Sequence, residues 1–263
     1  MQIILRRLPM LLAIDIGNTN ITVGAFDDSV LQFTARLSTD ERFTADQYAV
    51  QLKSIMELYG QDISCVEDCI VCSVAPQVGS AVCTAVTRLC DVTPLQIGPG
   101  IKTGLNIKID NPAQLGADLV AGAVGAISEY TLPCIVIDMG TATTLSVIDK
   151  NGVFLGGSIA AGVRLTLKAL SDNTAQLPAI SIDAPHSVIG TNTVDSMRAG
   201  LVYGAAAMLD GLIDRIEDEM GECATVVATG GLSKNIIAHC RRRIIYNENL
   251  LLDGLREIYE KNC

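Results

Sequence analysis

Two acidic side chains that each follow an apolar run are the residues in this sequence best suited to chemistry. The first, Asp15, follows the run 10–14 and precedes Gly17 and several amide and hydroxyl residues. This order predicts a β-hairpin whose tight turn presents backbone N–H groups and small polar side chains to a phosphate. The carboxylate of Asp15 is suited to hold Mg²⁺ through water, because Mg²⁺ prefers oxygen ligands and dehydrates reluctantly.

The same pattern returns at Asp138, which is followed by Gly140 and then by a series of threonines. Either copy alone would be an ordinary Asp-x-Gly turn. When Asp15 is aligned with Asp138, Gly17 falls on Gly140, and apolar positions align on both sides. We therefore predict a duplicated domain in which each half contributes one acidic turn to a shared cleft.

A third acid, Asp118, follows Gly116 and Ala117 and opens an alanine-rich apolar segment with the character of a helix. The segment before it, 98–116, is rich in glycine and proline and predicts a shaped binding loop. An acid in the first turn of a helix is stabilised by the helix dipole, which would explain Asp118 without any chemistry. The other interpretation makes Asp118 a general base facing the cleft, and the residues alone leave both open.

Paired glycines at Gly230 and Gly231 follow a predicted buried strand. They would let the backbone approach a flat ligand such as adenine closely, or they simply mark the entry to a helix. A P-loop of the form G-x-x-x-x-G-K-[ST] is absent from the sequence, which excludes a Walker-type ATPase.

The composition of the chain narrows the classes of protein to which it can belong. The 263 residues are 49% hydrophobic and carry a formal net charge of −10, which argues against a general nucleic-acid binder. Cys69 and Cys72 form a C-x-x-C pair inside a predicted buried strand, so we interpret the nine cysteines as small core residues of a cytoplasmic protein. The apolar start of the chain is needed for the first strand, so we expect no export signal, and no stretch is long enough to span a membrane.

Hydrophobic periodicity predicts an α/β fold whose first half has the order β-β-β-α-β-α-β. The second half repeats this order, with strands near 134–139, 142–149, 153–160, 225–228 and 244–246 and helices near 162–171, 191–219 and 233–239 and at the end of the chain. This order is that of a ribonuclease-H-like domain. We predict two such domains with an interdomain cleft, at 10–115 and 116–263, after an N-terminal extension at 1–9.

Taken together, the motifs resemble the actin, hexokinase and sugar-kinase superfamily, and more narrowly the type III pantothenate kinases. The matching segments appear in the family's order and span nearly the whole chain from Met10 onward. They are Asp15-Ile-Gly-Asn-Thr-Asn, Pro99-Gly-Ile-Lys-Thr-Gly, Asp110-Asn-Pro, Gly116-Ala-Asp118, Asp138-Met-Gly-Thr-Ala-Thr and Ile189-Gly-Thr-Asn-Thr193.

This resemblance implies ATP-dependent phosphorylation of pantothenate to 4′-phosphopantothenate, the first step of coenzyme A synthesis, by a homodimer. It implies that Asp118 is the catalytic base, that Asp15 lies near Mg²⁺, and that Asp138 binds a monovalent cation, K⁺ or NH₄⁺. The implied ATP-binding residues are Asp15, Ile16, Gly17, Asn18, Thr19, Asn20, Ile21, Thr22 and Thr141. The implied pantothenate-binding residues are Ile109, Gly116, Ala117, Asp118, Leu119 and Thr193.

Two positions depart from the family pattern, both on the substrate side. Many members carry arginine where this chain has Leu119, and an aromatic residue where it has Ile109. Loss of a charge-assisted contact to the pantothenate carboxylate would cost about 1.5–3 kcal/mol. The departures favour, as an alternative, a kinase for a different small alcohol. A non-catalytic regulatory or accessory protein on the same fold is a further alternative, and the presence of Asp15, Asp118 and Asp138 counts against it.

Overall fold

A computed structural model describes residues 10–174 and 177–263, so the expected extension at 1–9 lies outside the described residues. The chain divides into two compact units. Of the described residues, the first unit contains 10–104, 113–128 and 249–263, and the second contains 105–112, 129–174 and 177–248.

The first unit is built on a five-stranded sheet in the order β3-β2-β1-β4-β5. Strands β1 to β3 are antiparallel, whereas β4 runs parallel to β1 and β5 runs parallel to β4. The strands are β1 (Met10–Ile16), β2 (Asn20–Asp27), β3 (Val30–Ser38), β4 (Val66–Ser73) and β5 (Leu95–Gln96). The helices between them are α1 (Ala45–Leu58) and α2 (Pro76–Cys90), so the predicted order is confirmed.

Local signals explain much of this unit. Helix α1 begins at a capping box in which Thr44 and Gln47 satisfy each other's backbone N–H groups, at the predicted cap. Leu12 and Ile14 of β1 pack with Leu52 of α1 and Val82 of α2 in one apolar core. Strand β1 is almost wholly buried, which fits a central strand covered on both faces.

Two helices distant in sequence complete the first unit: α3 (Ala117–Glu129) and α7 (Leu250–Glu260). They cross at glycines, because a Cβ on Gly254 would lie 1.9 Å from the carbonyl oxygen of Ala121, and one on Gly125 would lie 2.3 Å from that of Leu250. The sequence boundary after residue 115 places both helices in the second domain. The structure differs because this close glycine packing joins them to each other, and α7 packs on β1 and β4.

The second unit repeats the first. Its six-stranded sheet has the order β11-β10-β7-β8-β9-β6, with β7 to β9 antiparallel and β10 parallel to β7. The strands are β6 (Asn106–Ile107), β7 (Cys134–Met139), β8 (Ala142–Ile148), β9 (Val153–Ala161), β10 (Thr225–Thr229) and β11 (Ile245–Tyr246). The helices are α4 (Val163–Asp172), α5 (Thr193–Met220) and α6 (Ser233–Ile237).

The prediction of two ribonuclease-H-like domains is therefore confirmed, since three antiparallel strands followed by parallel ones occur in each unit. Strand β6 was not predicted, because two residues are too short to show a periodic pattern. Within the described part of the chain, the helices are all too short or too polar to cross a bilayer.

Candidate functional site

The turn after β1 is held in one shape by hydrogen bonds. The Gly17 amide donates to the Asn20 carbonyl over 2.9 Å, while Thr39 donates from its hydroxyl to the Gly17 carbonyl (2.8 Å) and from its amide to the Thr19 carbonyl (3.0 Å). A Cβ on Gly17 would lie 3.1 Å from the Asn20 oxygen, so a side chain at position 17 would make the turn shift by a few tenths of an ångström. Asn18, Thr19 and Asn20 are exposed there and able to meet a phosphate.

The side chains of the two isoleucines that flank this turn pack into the core of the first unit. Ile16 and Ile21 are almost completely buried in the core of the first unit. Of the residues expected to contact ATP, these two therefore have only main-chain atoms to offer. Thr22, the register partner of Asp15 on β2, is half-buried.

Asp15 lies beside a buried thiol. Cys72 on β4 is its register partner in the parallel pairing, so both side chains project from the same face of the sheet. Cys72 is fully buried at this position. Burial, followed by the negative charges of Asp15 and Asp118, raises the pKa of Cys72 well above its usual range, so the thiol keeps its proton.

Asp118 is the second residue of α3 and belongs to the same unit. Its Oδ1 accepts a hydrogen bond from the Leu119 amide over 2.8 Å. A Cβ on Gly116 would lie 2.4 Å from that oxygen, so a side chain at position 116 would make the Asp118 carboxylate turn away from its present position. Asp118 and Asp15 both belong to the first unit, and the negative charges of both contribute to the raised pKa of Cys72.

The second unit has a matching arrangement around Asp138. Its register partners are Thr144 on β8 and Thr229 on β10. The hydroxyl oxygen of Thr144 is buried and has no hydrogen-bond partner in the part of the chain that the structure describes. Gly230, with φ +95°, leaves no room for a Cβ, which would lie 2.6 Å from Oδ1 of Asp138. This close approach explains Gly230 without a ligand, while its expected contact with adenine stays a prediction.

The remaining expected site residues lie on separate elements of the second unit. Thr141 is exposed in the turn after β7, and its carbonyl accepts a hydrogen bond from the Gly162 amide over 3.1 Å. Ile109 follows β6, and its Cγ2 would be 3.8 Å from a Cβ on Gly156 of β9. Thr193 is the exposed first residue of α5, which Asn192 caps.

The oxygen atoms near Asp15 and Asp138 suit the two cations expected from the sequence, Mg²⁺ and a monovalent cation. Among the described residues there is no cluster of three or more His, Cys, Asp or Glu side chains that would cage a metal. Mg²⁺ in nucleotide sites usually needs fewer protein ligands, because phosphates and water complete its shell, so Asp15 beside the exposed turn fits it. The carboxylate of Asp138 and the unpartnered oxygen of Thr144 are the hard oxygen donors that a monovalent cation takes.

Sequence reasoning missed three of these residues. The sequence pattern indicates only a core role for Cys72, gives no signal for Thr39, and does not distinguish Thr144 from the threonines beside it. The signal that identifies Cys72 and Thr144 is strand register, which places each beside an acid.

Comparison with known proteins agrees with this architecture. The chain has the duplicated fold of the sugar kinases: a ROK hexokinase from Thermus thermophilus superposes with a TM-score of 0.53 at 11% identity, over 97% of this chain and 100% of the hexokinase. A type III pantothenate kinase from Exiguobacterium sibiricum is 42% identical over 253 residues, which cover 96% of this chain and 100% of that protein. A type III pantothenate kinase from Brevibacillus brevis is also 42% identical, over 96% of this chain and 99% of that protein.

The family described as type III pantothenate kinase matches residues 11–215. This chain therefore belongs to the type III pantothenate kinase family.

Proposed function

We propose that this protein transfers the terminal phosphoryl group of ATP to pantothenate, forming 4′-phosphopantothenate in the first step of coenzyme A synthesis. The observation that carries the proposal is the pair Asp15 and Asp118, which the family motifs supply and which both belong to the first unit, where the charges of both raise the pKa of the buried Cys72 thiol. Identity above 40% with pantothenate kinases along almost the whole chain supports the same substrate.

Asp118 acts as general base in this proposal. It takes the proton from the primary hydroxyl of pantothenate as the hydroxyl oxygen bonds to the γ-phosphorus, and the bond from that phosphorus to the β–γ bridging oxygen breaks to release ADP. Phosphoryl transfer needs positioning and charge neutralisation more than covalent help. A carboxylate fixed by the Leu119 amide at the start of a helix meets the first requirement.

ATP is held, in this proposal, by the turn and strand residues 15–22 and by Thr141. Mg²⁺ neutralises phosphate charge when bound, with Asp15 holding it through water. Asp138 holds K⁺ or NH₄⁺, and we add Thr144 as a second oxygen ligand because its hydroxyl lacks a partner in the described chain.

Pantothenate contacts Ile109, Gly116, Ala117, Leu119 and Thr193 in the same proposal. A second candidate is a kinase for another small alcohol, which Leu119 and Ile109 favour because neither supplies the charge or the aromatic ring common in the family. The half-buried Leu119 side chain offers a substrate carboxylate no hydrogen bond.

We further propose a homodimer in the cytoplasm. Apolar side chains are exposed on the outer face of β9 and on α4 and the loop before α5, which is typical of an interaction surface. They are Leu155, Ile159, Leu165, Leu170, Val188 and Ile189. All nine cysteines are free, as in proteins of a reducing compartment. Light scattering should find a dimer that Ile159→Lys dissociates, and a monomeric wild-type protein would contradict the assembly.

A coupled ADP-release assay tests the activity. We expect turnover with pantothenate, stimulated by K⁺ or NH₄⁺ over Na⁺, and only background hydrolysis without an acceptor. Turnover with another alcohol but not with pantothenate would favour the second candidate. Binding of Mg²⁺·ATP without turnover on any acceptor would favour a regulatory protein.

A further inference from the structure

The residue that follows β3 is bonded to the turn that is expected to hold the ATP phosphates. The hydroxyl of Thr39 donates a hydrogen bond to the Gly17 carbonyl over 2.8 Å, and its amide donates to the Thr19 carbonyl over 3.0 Å. In a trans peptide the N–H group points away from the preceding carbonyl, so the Asn18 amide points away from Thr39. Asn18 is exposed, and its amide has no hydrogen-bond partner among the described residues. This amide is therefore a donor available to a ligand.

The internal repeat shows which of the two bonds belongs to the common fold. Gly162, the first residue after β9, occupies the place of Thr39 in the second unit, and its amide donates to the Thr141 carbonyl over 3.1 Å. The main-chain bond therefore occurs in both units. The side-chain bond occurs only in the first, because glycine has no hydroxyl, and a Cβ on Gly162 would lie 2.3 Å from the Thr141 oxygen. The Thr39 hydroxyl is thus an addition to the common fold, made at the turn that follows Asp15.

The segment that carries Thr39 is itself fixed by a buried side chain. Tyr48 of α1 is fully buried, and its hydroxyl donates to the Asp40 carbonyl over 2.9 Å and accepts a bond from the Asp40 amide over 3.1 Å. The Tyr48 ring also packs edge-on against the ring of Phe43, with 5.7 Å between the centroids. Both main-chain polar groups of the residue after Thr39 are therefore held from the core, which makes Thr39 a fixed support for the turn.

We propose that Thr39 is a positioning residue for ATP, whose hydroxyl orients the peptide between Gly17 and Asn18 so that the Asn18 amide is directed at a phosphate. The inference rests on the proposed function, in which this turn holds the nucleotide. A peptide next to glycine can adopt more orientations than one between other residues. A donor fixed on its carbonyl removes that freedom before the nucleotide arrives, and this lowers the entropic cost of binding.

Thr34 provides a matched control on the same strand. Thr34 and Thr39 are both half-buried, and the Thr34 hydroxyl donates to Oδ1 of Asn249 over 3.2 Å. Thr34→Val and Thr39→Val each remove one hydroxyl donor and keep the β-branched shape of the side chain. Only Thr39→Val removes a bond to the turn.

Calorimetric titrations with Mg²⁺·ATP and with adenosine test the role without an acceptor. We expect Thr39→Val to bind Mg²⁺·ATP about three- to tenfold more weakly than wild type, as for the loss of one neutral hydrogen bond. Adenosine has no phosphate, so its affinity for Thr39→Val should stay within about twofold of wild type. Thr39→Ser keeps the hydroxyl and should bind Mg²⁺·ATP within about twofold of wild type, as should Thr34→Val.

Unchanged Mg²⁺·ATP affinity in Thr39→Val would overturn the proposal. An equal loss of affinity for Mg²⁺·ATP and adenosine would overturn it as well, because that result indicates a general structural change. A wild-type protein that binds Mg²⁺·ATP but does not phosphorylate pantothenate would contradict the proposed substrate instead, since the titrations contain no acceptor.

Discussion

Gly230 approaches Asp138 so closely that a Cβ at position 230 would lie 2.6 Å from Oδ1 of the carboxylate and 2.8 Å from the amide nitrogen of Met139. The residue also has φ +95°, a backbone conformation that side chains rarely adopt. Gly230, the first of the two glycines after β10, thus leaves room for the acid of β7, and a side chain at this position would displace that acid.

We expect Gly230→Ala to destabilise the protein by about 2–4 kcal/mol, since it adds a backbone clash to the strain of positive φ. Activation by K⁺ should fall with it, because the carboxylate of Asp138 must move. Gly221→Ala is the matched control, since Gly221 has φ +72° and open space around its Cα. It should cost about 1 kcal/mol and leave the K⁺ response unchanged. Equal effects of the two variants in thermal unfolding and K⁺ titration would contradict this explanation.

Asp118→Asn should reduce turnover by roughly 10²–10⁴-fold, the usual contribution of a general base, while Mg²⁺·ATP still binds. Asp46→Asn separates this effect from the loss of a helix-dipole interaction, because Asp46 is likewise the second residue of its helix, α1. The control should lose at most about 1 kcal/mol of stability and no activity. Steady-state kinetics and nucleotide titration check both variants, and near-normal turnover of Asp118→Asn would show that another group is the base.

Two neighbouring threonines test the monovalent-cation site. The hydroxyls of Thr143 and Thr144 are both buried without a partner in the described chain, but only Thr144 is the register partner of Asp138. Thr144→Val should raise the K⁺ concentration needed for half-maximal activity, and Asp138→Ala should abolish activation. Thr143→Val should leave the K⁺ response intact and stabilise the protein by about 1 kcal/mol, because it removes an unsatisfied buried hydroxyl. The same K⁺ titration curve for all three variants would place the cation elsewhere.

The glycine crossing between α3 and α7 should be intolerant of a methyl group. Gly254→Ala would put a Cβ 1.9 Å from the Ala121 carbonyl oxygen, so the helices must separate at a cost of about 1–3 kcal/mol or more. Turnover should fall as well, because α3 carries Asp118. Gly204→Ala, inside α5 with open space around it, should instead stabilise by about 0.5–1 kcal/mol. Denaturant unfolding of both variants measures the contrast, and a neutral Gly254→Ala would refute the packing argument.

Local patterns made several elements predictable. Alternating apolar residues on either side of Asp15 and Asp138 identified two hairpins, and strands β1 and β7 end one residue beyond those acids. Thr44 predicted the start of α1 because a capping box depends on residues three positions apart. The two-residue strands β6 and β11 carry too few residues for a period, although the region of β11 was predicted as a strand from its aliphatic run.

By itself, the sequence determined the duplicated fold, the family and the identity of the three acids, because these depend on residue order along the chain. Only the tertiary structure decided which residues flank the acids and which segments join each unit. Strand register, which brings Cys72 to Asp15 and Thr144 to Asp138, links residues that are distant in the chain or hidden among similar neighbours. The contact between Gly125 and Gly254 likewise depends on how closely the backbones of α3 and α7 pack. The local periodicity of the sequence does not predict the distance between these two helices.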